Sequence, residues 1–324
     1  MSKDDLFAEI EGRKVPTSKQ LRKMGLMTRD GSIPNIKTKV SDDNFKLTQE
    51  QVKVIVWNLK KYSSVTFMKQ LKEMLAIIIK SYEDHIGRKP RVCDIEIDNL
   101  KSFNESYLEI DTAIKMLLSG GNKSAIYKSL RDISRFDFAF TGRMRGELDW
   151  SSLGQSGSEK SRGLYVWIEK AIHIAFLVET GGGWTWPSPL IDKMIHLGPP
   201  DAFNYYSAHN KLSAKTGEII PVTGIWNPYD FKSGCPSFLL AGDEFPNTEI
   251  ATEKLERPEF FDEDSGELYK GWLDFEYQEH PSRWELLWED KRYIDGTIPE
   301  EEKEYLDESC SFPNEPPEAV KISP

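Results

Sequence analysis

The feature that most constrains the fold is a change of hydrophobic period partway along the chain. Up to about residue 180, apolar residues recur at helical spacing. Thr48-Gln49-Glu50-Gln51 reads as a capping box, followed by Val52, Ile55, Val56 and Leu59 on one face. A second helix is predicted from about Ser64 to His85, stopped by Gly87 and Pro90, and a third from about residue 98 to 118. Ser119-Gly120-Gly121 ends the third, and Asn122 is placed to cap the next. A long helix is expected over Ser158–Thr180, with Leu164, Trp167, Ile168, Ala171, Ile172, Ala175 and Phe176 as its stripe and Gly181-Gly182-Gly183 as its stop.

After Pro187, Pro189, Pro199 and Pro200 the pattern shifts to short strands at Glu218–Trp226, Ser237–Leu240 and Tyr269–Tyr277. Ile298-Pro299-Glu300-Glu301-Glu302 starts a short helix. The expected class is α+β: a loosely ordered arm over 1–46, a helical bundle over 47–197, a smaller strand-rich acidic region over 198–310 packed on it, and a tail over 311–324.

Charge divides along the same line. Residues 243–324 hold 25 Asp and Glu against 8 Lys and Arg, a net of −17 in a chain of net −11, so residues 1–242 are net +6. An acidic surface repels nucleic acid and attracts a basic partner. The acidic segment is also rich in aromatics: Trp272, Phe275, Tyr277, Trp284, Trp288 and Tyr293 lie within 268–294. Disordered acidic tails are poor in aromatics, so this segment is expected to fold and to present a negatively charged face for a protein partner.

Composition narrows the alternatives. Cys93, Cys235 and Cys310 are far apart with no CxxC or Cys/His cluster, which argues against a structural zinc site and for a reducing compartment. The N-terminus lacks an apolar stretch of signal-peptide length, and the run at 74–80 is too short to span a bilayer. A soluble cytoplasmic protein with no cofactor and no membrane or direct nucleic-acid partner is expected.

Candidate chemistry is thin. The triple glycine follows a helix and precedes Trp184-Thr185-Trp186, the reverse of a phosphate loop. Glu169 and His173 make one imperfect half of a di-iron pattern. Arg143 and Arg145, among glycines, could clamp an anion, or pair with Glu147 and Asp149 and stack on Trp150 to fix a turn. A catalytic reading needs Arg143, Arg145, Glu169 and His173 in one cleft. The carboxylate runs Asp262-Glu263-Asp264 and Glu300-Glu301-Glu302 lack a calcium-loop pattern and read as a solvated acidic face.

Four segments taken together are more specific: Thr141–Trp150 (TGRMRGELDW), Gly181–Pro187 (GGGWTWP), Thr223–Ala241 (TGIWNPYDFKSGCPSFLLA) and Leu287–Leu306 (LWEDKRYIDGTIPEEEKEYL). In this order they resemble a family of bacterial polymorphic-toxin immunity proteins, often encoded beside Rhs-type or type VI secretion effectors, over roughly residues 110–310. The resemblance implies a non-enzymatic protein that binds and neutralises one cognate toxin domain. It also implies that Arg143, Arg145, Trp150, Trp184, Trp186, Trp226 and Trp288 serve the scaffold. Contact residues do not transfer through it. Charge and aromatic content nominate Asp262, Glu263, Asp264, Trp272, Glu276, Glu300, Glu301 and Glu302 as the surface that blocks the toxin's cleft. A mimic of DNA is the neighbouring alternative, differing in partner.

Overall fold

A computed structural model describes residues 7–10, 12–28, 36–87, 90–92, 94–130 and 212–305, which are mixed helix and sheet. Thr48 and Gln51 set the first long helix by exchanging bonds: the Thr48 N–H donates to Gln51 Oε1 at 2.8 Å and the Gln51 N–H to Thr48 Oγ1 at 3.2 Å. In chain order the helices are α1 (Ser18–Lys23), α2 (Gln49–Tyr62), α3 (Val65–Ile86), α4 (Asp94–Leu118) and α5 (Lys123–Leu130). Asn122 caps α5 through a 3.2 Å bond from the Ala125 N–H. The helix expected over 158–180 lies outside the described residues.

The strands are β1 (Phe7–Ile10), β2 (Arg13–Pro16), β3 (Ile36–Lys39), β4 (Ser213–Lys215), β5 (Gly224–Pro228), β6 (Ser237–Leu239), β7 (Thr248–Arg257), β8 (Phe260–Asp262), β9 (Glu267–Tyr269), β10 (Trp272–His280) and β11 (Arg283–Glu289). They form hairpins β1-β2 and β8-β9, a three-stranded sheet β10-β7-β3 and a four-stranded sheet β4-β11-β5-β6. All named pairings are antiparallel.

The four-stranded sheet has a core on each face. Successive strand residues point to opposite faces, so Ile225 and Trp226 part company. Ile225, Phe238 and Leu240 join α2, α3, α4 and α5 in one apolar cluster, where the Phe238 ring meets Tyr127 edge-on at 5.4 Å. Trp226, Trp284 and Leu286 enclose Phe245 and Ile220 on the other side. The register of β11 against β5 slips by one residue after Leu286, and both Leu287 and Trp288 then pack against the helical cluster. Gly224 makes the slip fit: a Cβ there would stand 2.2 Å from the Trp288 carbonyl oxygen.

The described residues of the N-terminal segment pair with the strand-rich region. β3 adds to β7 as an edge strand, with Ile36 opposite Glu256 and Lys39 opposite Glu253. Leu21 of α1 and Met27, beyond its end, pack with Phe260 of β8. A polar segment without a core of its own is ordered here because another strand supplies an edge and another hairpin supplies an apolar face.

Candidate functional site

The surface candidates fall on three separate elements. Asp262 ends β8, with Glu263 and Asp264 in the turn that follows. Trp272 opens β10 opposite Arg257, and Glu276 lies further along opposite Glu253. Glu300, Glu301 and Glu302 form the first turn of a short 3-10 helix, Glu300–Tyr305.

Several of these acids are already satisfied inside the chain, largely by the N-terminal segment. Ser18 Oγ donates to Glu263 at 2.7 Å, and Lys19 stands 3.4 Å from the same carboxylate. Lys37 lies between Glu276 at 2.6 Å and Glu253 at 3.3 Å. Arg13 forks onto the neighbouring Glu259 through bonds of 2.6 and 2.8 Å. Lys60 reaches Glu301 at 2.6 Å. Asp264 and Glu300 remain exposed, Glu300 beside Lys303. Beside the Glu276–Glu253 pair that Lys37 bridges, a second like-charge pair lies across the three-stranded sheet, Glu249 opposite Glu279. Burial first, then the Glu279 charge, pushes the Glu249 carboxyl above its usual range.

Glu302 corrects the sequence reading. It is 0% exposed, so it belongs to no solvated docking face. Its carboxylate accepts from the Tyr293 hydroxyl and, at 3.0 Å, from the Thr66 N–H. A 3-10 helix eclipses residues three apart, and Tyr305, three on, is equally buried, against Trp57 at 4.9 Å.

Glu302 is one member of a buried polar lock that sequence reasoning missed. Every helix leaves unsatisfied C=O groups at its end and N–H groups at its start. The α2–α3 turn brings both kinds together at Lys60–Phe67. Arg292 serves the end of α2, donating to the Lys60 carbonyl at 2.8 Å and to the Ser63 carbonyl and hydroxyl at 3.3 and 2.8 Å. The Tyr127 hydroxyl also donates to the Ser63 carbonyl, at 2.6 Å. At the start of α3, the Val65 N–H donates to the Tyr293 hydroxyl at 2.8 Å, beside the Thr66 bond to Glu302. A cation at a helix C-terminus and a carboxylate at an N-terminus also match the two helix dipoles.

Asp290 balances the guanidinium. It accepts Arg292 Nε at 2.9 Å and Nη2 at 3.0 Å, and Lys123 Nζ stands 3.0 Å away. Burial alone would raise the Asp290 carboxyl, but Arg292 and then Lys123 outweigh it and hold it below the usual range. Burial lowers Lys60 and Lys123 in turn, against the pull of Glu301 and Asp290. Trp288 lies under both Lys60 and Arg292, each 4.9 Å from its ring centre. Tyr293 holds φ at 65°, the sole positive φ of a non-glycine among the described residues. A bulky side chain in that region costs on the order of 1–3 kcal/mol and persists where its surroundings fix it.

Side-chain exposure of 3% for Arg292 and 0% for Asp290 leaves no open face for a solute. The arrangement fastens strands to helices. The readable trace of it was Trp288-Glu289-Asp290-Lys291-Arg292-Tyr293, where opposite charges sit between aromatics. Trp226 is buried in the second core, its indole N–H donating to the Val222 carbonyl at 3.3 Å. Arg143, Arg145, Trp150, Glu169, His173, Trp184 and Trp186 lie outside the described residues. Among the described residues, no group of three His, Cys, Asp or Glu is arranged to hold a metal ion, and no helix is long and apolar enough to cross a membrane.

No curated protein and no solved structure matches the chain. A family model does: residues 206–306 match the one described as Immunity protein 72, which supports an immunity protein family of polymorphic toxin systems.

Proposed function

We propose that this chain binds and neutralises a cognate secreted toxin domain in the cytoplasm of the producing cell, without catalysis of its own. The observation that carries the reading is the family match. It spans 206–306 and so takes in β4 to β11, the lock residues Asp290, Arg292 and Tyr293, and Glu302. A segment devoted to two packed cores and a closed ionic fastener is suited to presenting a rigid surface, which lowers the entropy cost of binding.

The proposed mode is steric: an acidic surface covers the active cleft of a basic toxin. The net of −17 over residues 243–324 supports it through steering. Asp262, Asp264, Trp272 and Glu300 remain the proposed contacts. Glu263, Glu276 and Glu301 take part after exchanging their internal partners, and Glu302 is excluded by burial.

The test is a pull-down with tagged full-length protein from the native host at low and moderate salt, followed by co-expression of whatever is captured. A single stoichiometric toxin domain, whose toxicity this chain abolishes, is the expected result. Failure of every captured protein to be toxic, or of this chain to protect, overturns the reading. With the toxin in hand, Asp264→Lys with Glu300→Lys should slow association and flatten its salt dependence; unchanged rates would remove the acidic face from the mechanism.

A further inference from the structure

We infer that the loop 294–297 is an anchor for the partner, and that the partner offers an apolar socket with a lysine- or arginine-bearing rim. The inference deepens the immunity reading and rests on it.

Ile294 is 73% exposed, more than any other large apolar side chain among the described residues. A lone apolar residue on a surface is ordinary. What sets this one apart is how it is held. It directly follows Arg292 and Tyr293, both buried and both tied to the α2–α3 turn. The left-handed backbone of Tyr293 turns the chain there, so a strained residue inside the lock is what delivers its neighbour to solvent. Strain of this kind gathers at functional sites, and the inference runs from the observed outlier to a role.

The far side of the loop is held as firmly. The Gly296 N–H donates to the Tyr293 carbonyl at 3.0 Å, closing the turn. Gly296 has φ 76°, and a Cβ on it would stand 2.8 Å from the Leu118 carbonyl oxygen at the end of α4. Across from it, the Ile294 carbonyl oxygen stands 3.9 Å from where a Cβ on Gly120 would be. The loop backbone therefore rests on the α4–α5 turn, with glycines on both sides of the contact. Asp295 fixes Thr297 through its N–H at 3.0 Å and its hydroxyl at 2.7 Å. An apolar side chain held out on a loop that is already ordered loses little freedom on binding, which is the anatomy of a hot-spot anchor.

Charge sets the rim. Asp295 and Glu304 are exposed on this segment, while Lys291 is engaged by Glu289 at 2.9 Å and Lys303 pairs with Glu300. Exposed acids next to and following an isoleucine along the chain fit a socket whose edge is cationic.

The test uses the full-length chain and the toxin domain identified by the pull-down. Ile294→Ala should raise Kd by about tenfold or more, mainly through faster dissociation. Its urea midpoint should match wild type, because the side chain contributes little to the fold. Asp295→Lys should slow association. A wild-type chain that binds the toxin alongside an Ile294→Ala variant weakened less than about fivefold would overturn the anchor and leave the immunity reading standing. A wild-type chain that binds no toxin would remove both.

Discussion

Replacing Arg292 by Met tests whether the lock holds the two halves of the fold together. Methionine keeps most of the volume and removes the charge. The substitution strips two bonds from Asp290, at 2.9 and 3.0 Å, leaving Lys123 as its nearby cation. It also takes the guanidinium from the Lys60 carbonyl, while Ser63 keeps its bond from Tyr127. Breaking a buried pair from one side costs about 3–5 kcal/mol, because the remaining charge stays buried. That is a large share of the roughly 5–15 kcal/mol by which a domain is stable. With a urea slope of about 2–3 kcal/mol per molar, the midpoint should fall by about 1–2 M. Unfolding can be followed by fluorescence, since Trp288 lies under the guanidinium. The double variant Arg292→Met with Asp290→Asn removes the stranded charge as well. It should recover about 1–3 kcal/mol of the loss expected from adding the two single changes. A midpoint within about 0.3 M of wild type for Arg292→Met, or strict additivity in the cycle, would refute the claim that this pair carries the dock.

Two further outcomes follow from the same geometry. The Asp290 carboxyl is depressed in the fold, so its contribution is present above the unfolded value of about 3.9 and is lost as pH falls through the lower folded value. Asp290→Asn should therefore flatten the acid limb of a stability-against-pH curve below about pH 4, and an unchanged limb would assign acid unfolding to other carboxylates. Gly224→Ala should cost about 3 kcal/mol or more, since its Cβ would collide with the Trp288 carbonyl oxygen at 2.2 Å and neither strand can yield alone. A thermal midpoint equal to wild type would mean that the β5–β11 slip adapts freely.

Local signals carried well wherever the physics was local. Thr48 with Gln51, and Asn122 ahead of α5, name their own helix starts because a cap is settled within four residues. The shift from helical to strand periodicity likewise marks a mixed fold in the sequence itself. β7 was missed: its run TEIATEKLER carries five charged residues and a one-residue slip at Thr252, so no clean alternation survives for a pattern to find. Residues 36–39 look like loop and become a strand because β7 offers an edge. Three consecutive glutamates look alike in sequence. Glu300 stays in solvent, Glu301 reaches Lys60, and Glu302 turns inward with Tyr305, a distinction made by the pitch of one 3-10 turn against α3. The lock joins Lys60, Ser63 and Tyr127 to Asp290, Arg292 and Tyr293, over separations of up to 232 residues. Backbone groups orphaned at a helix turn can be matched with a distant guanidinium only once the chain has closed on itself, so that choice belonged to the tertiary structure.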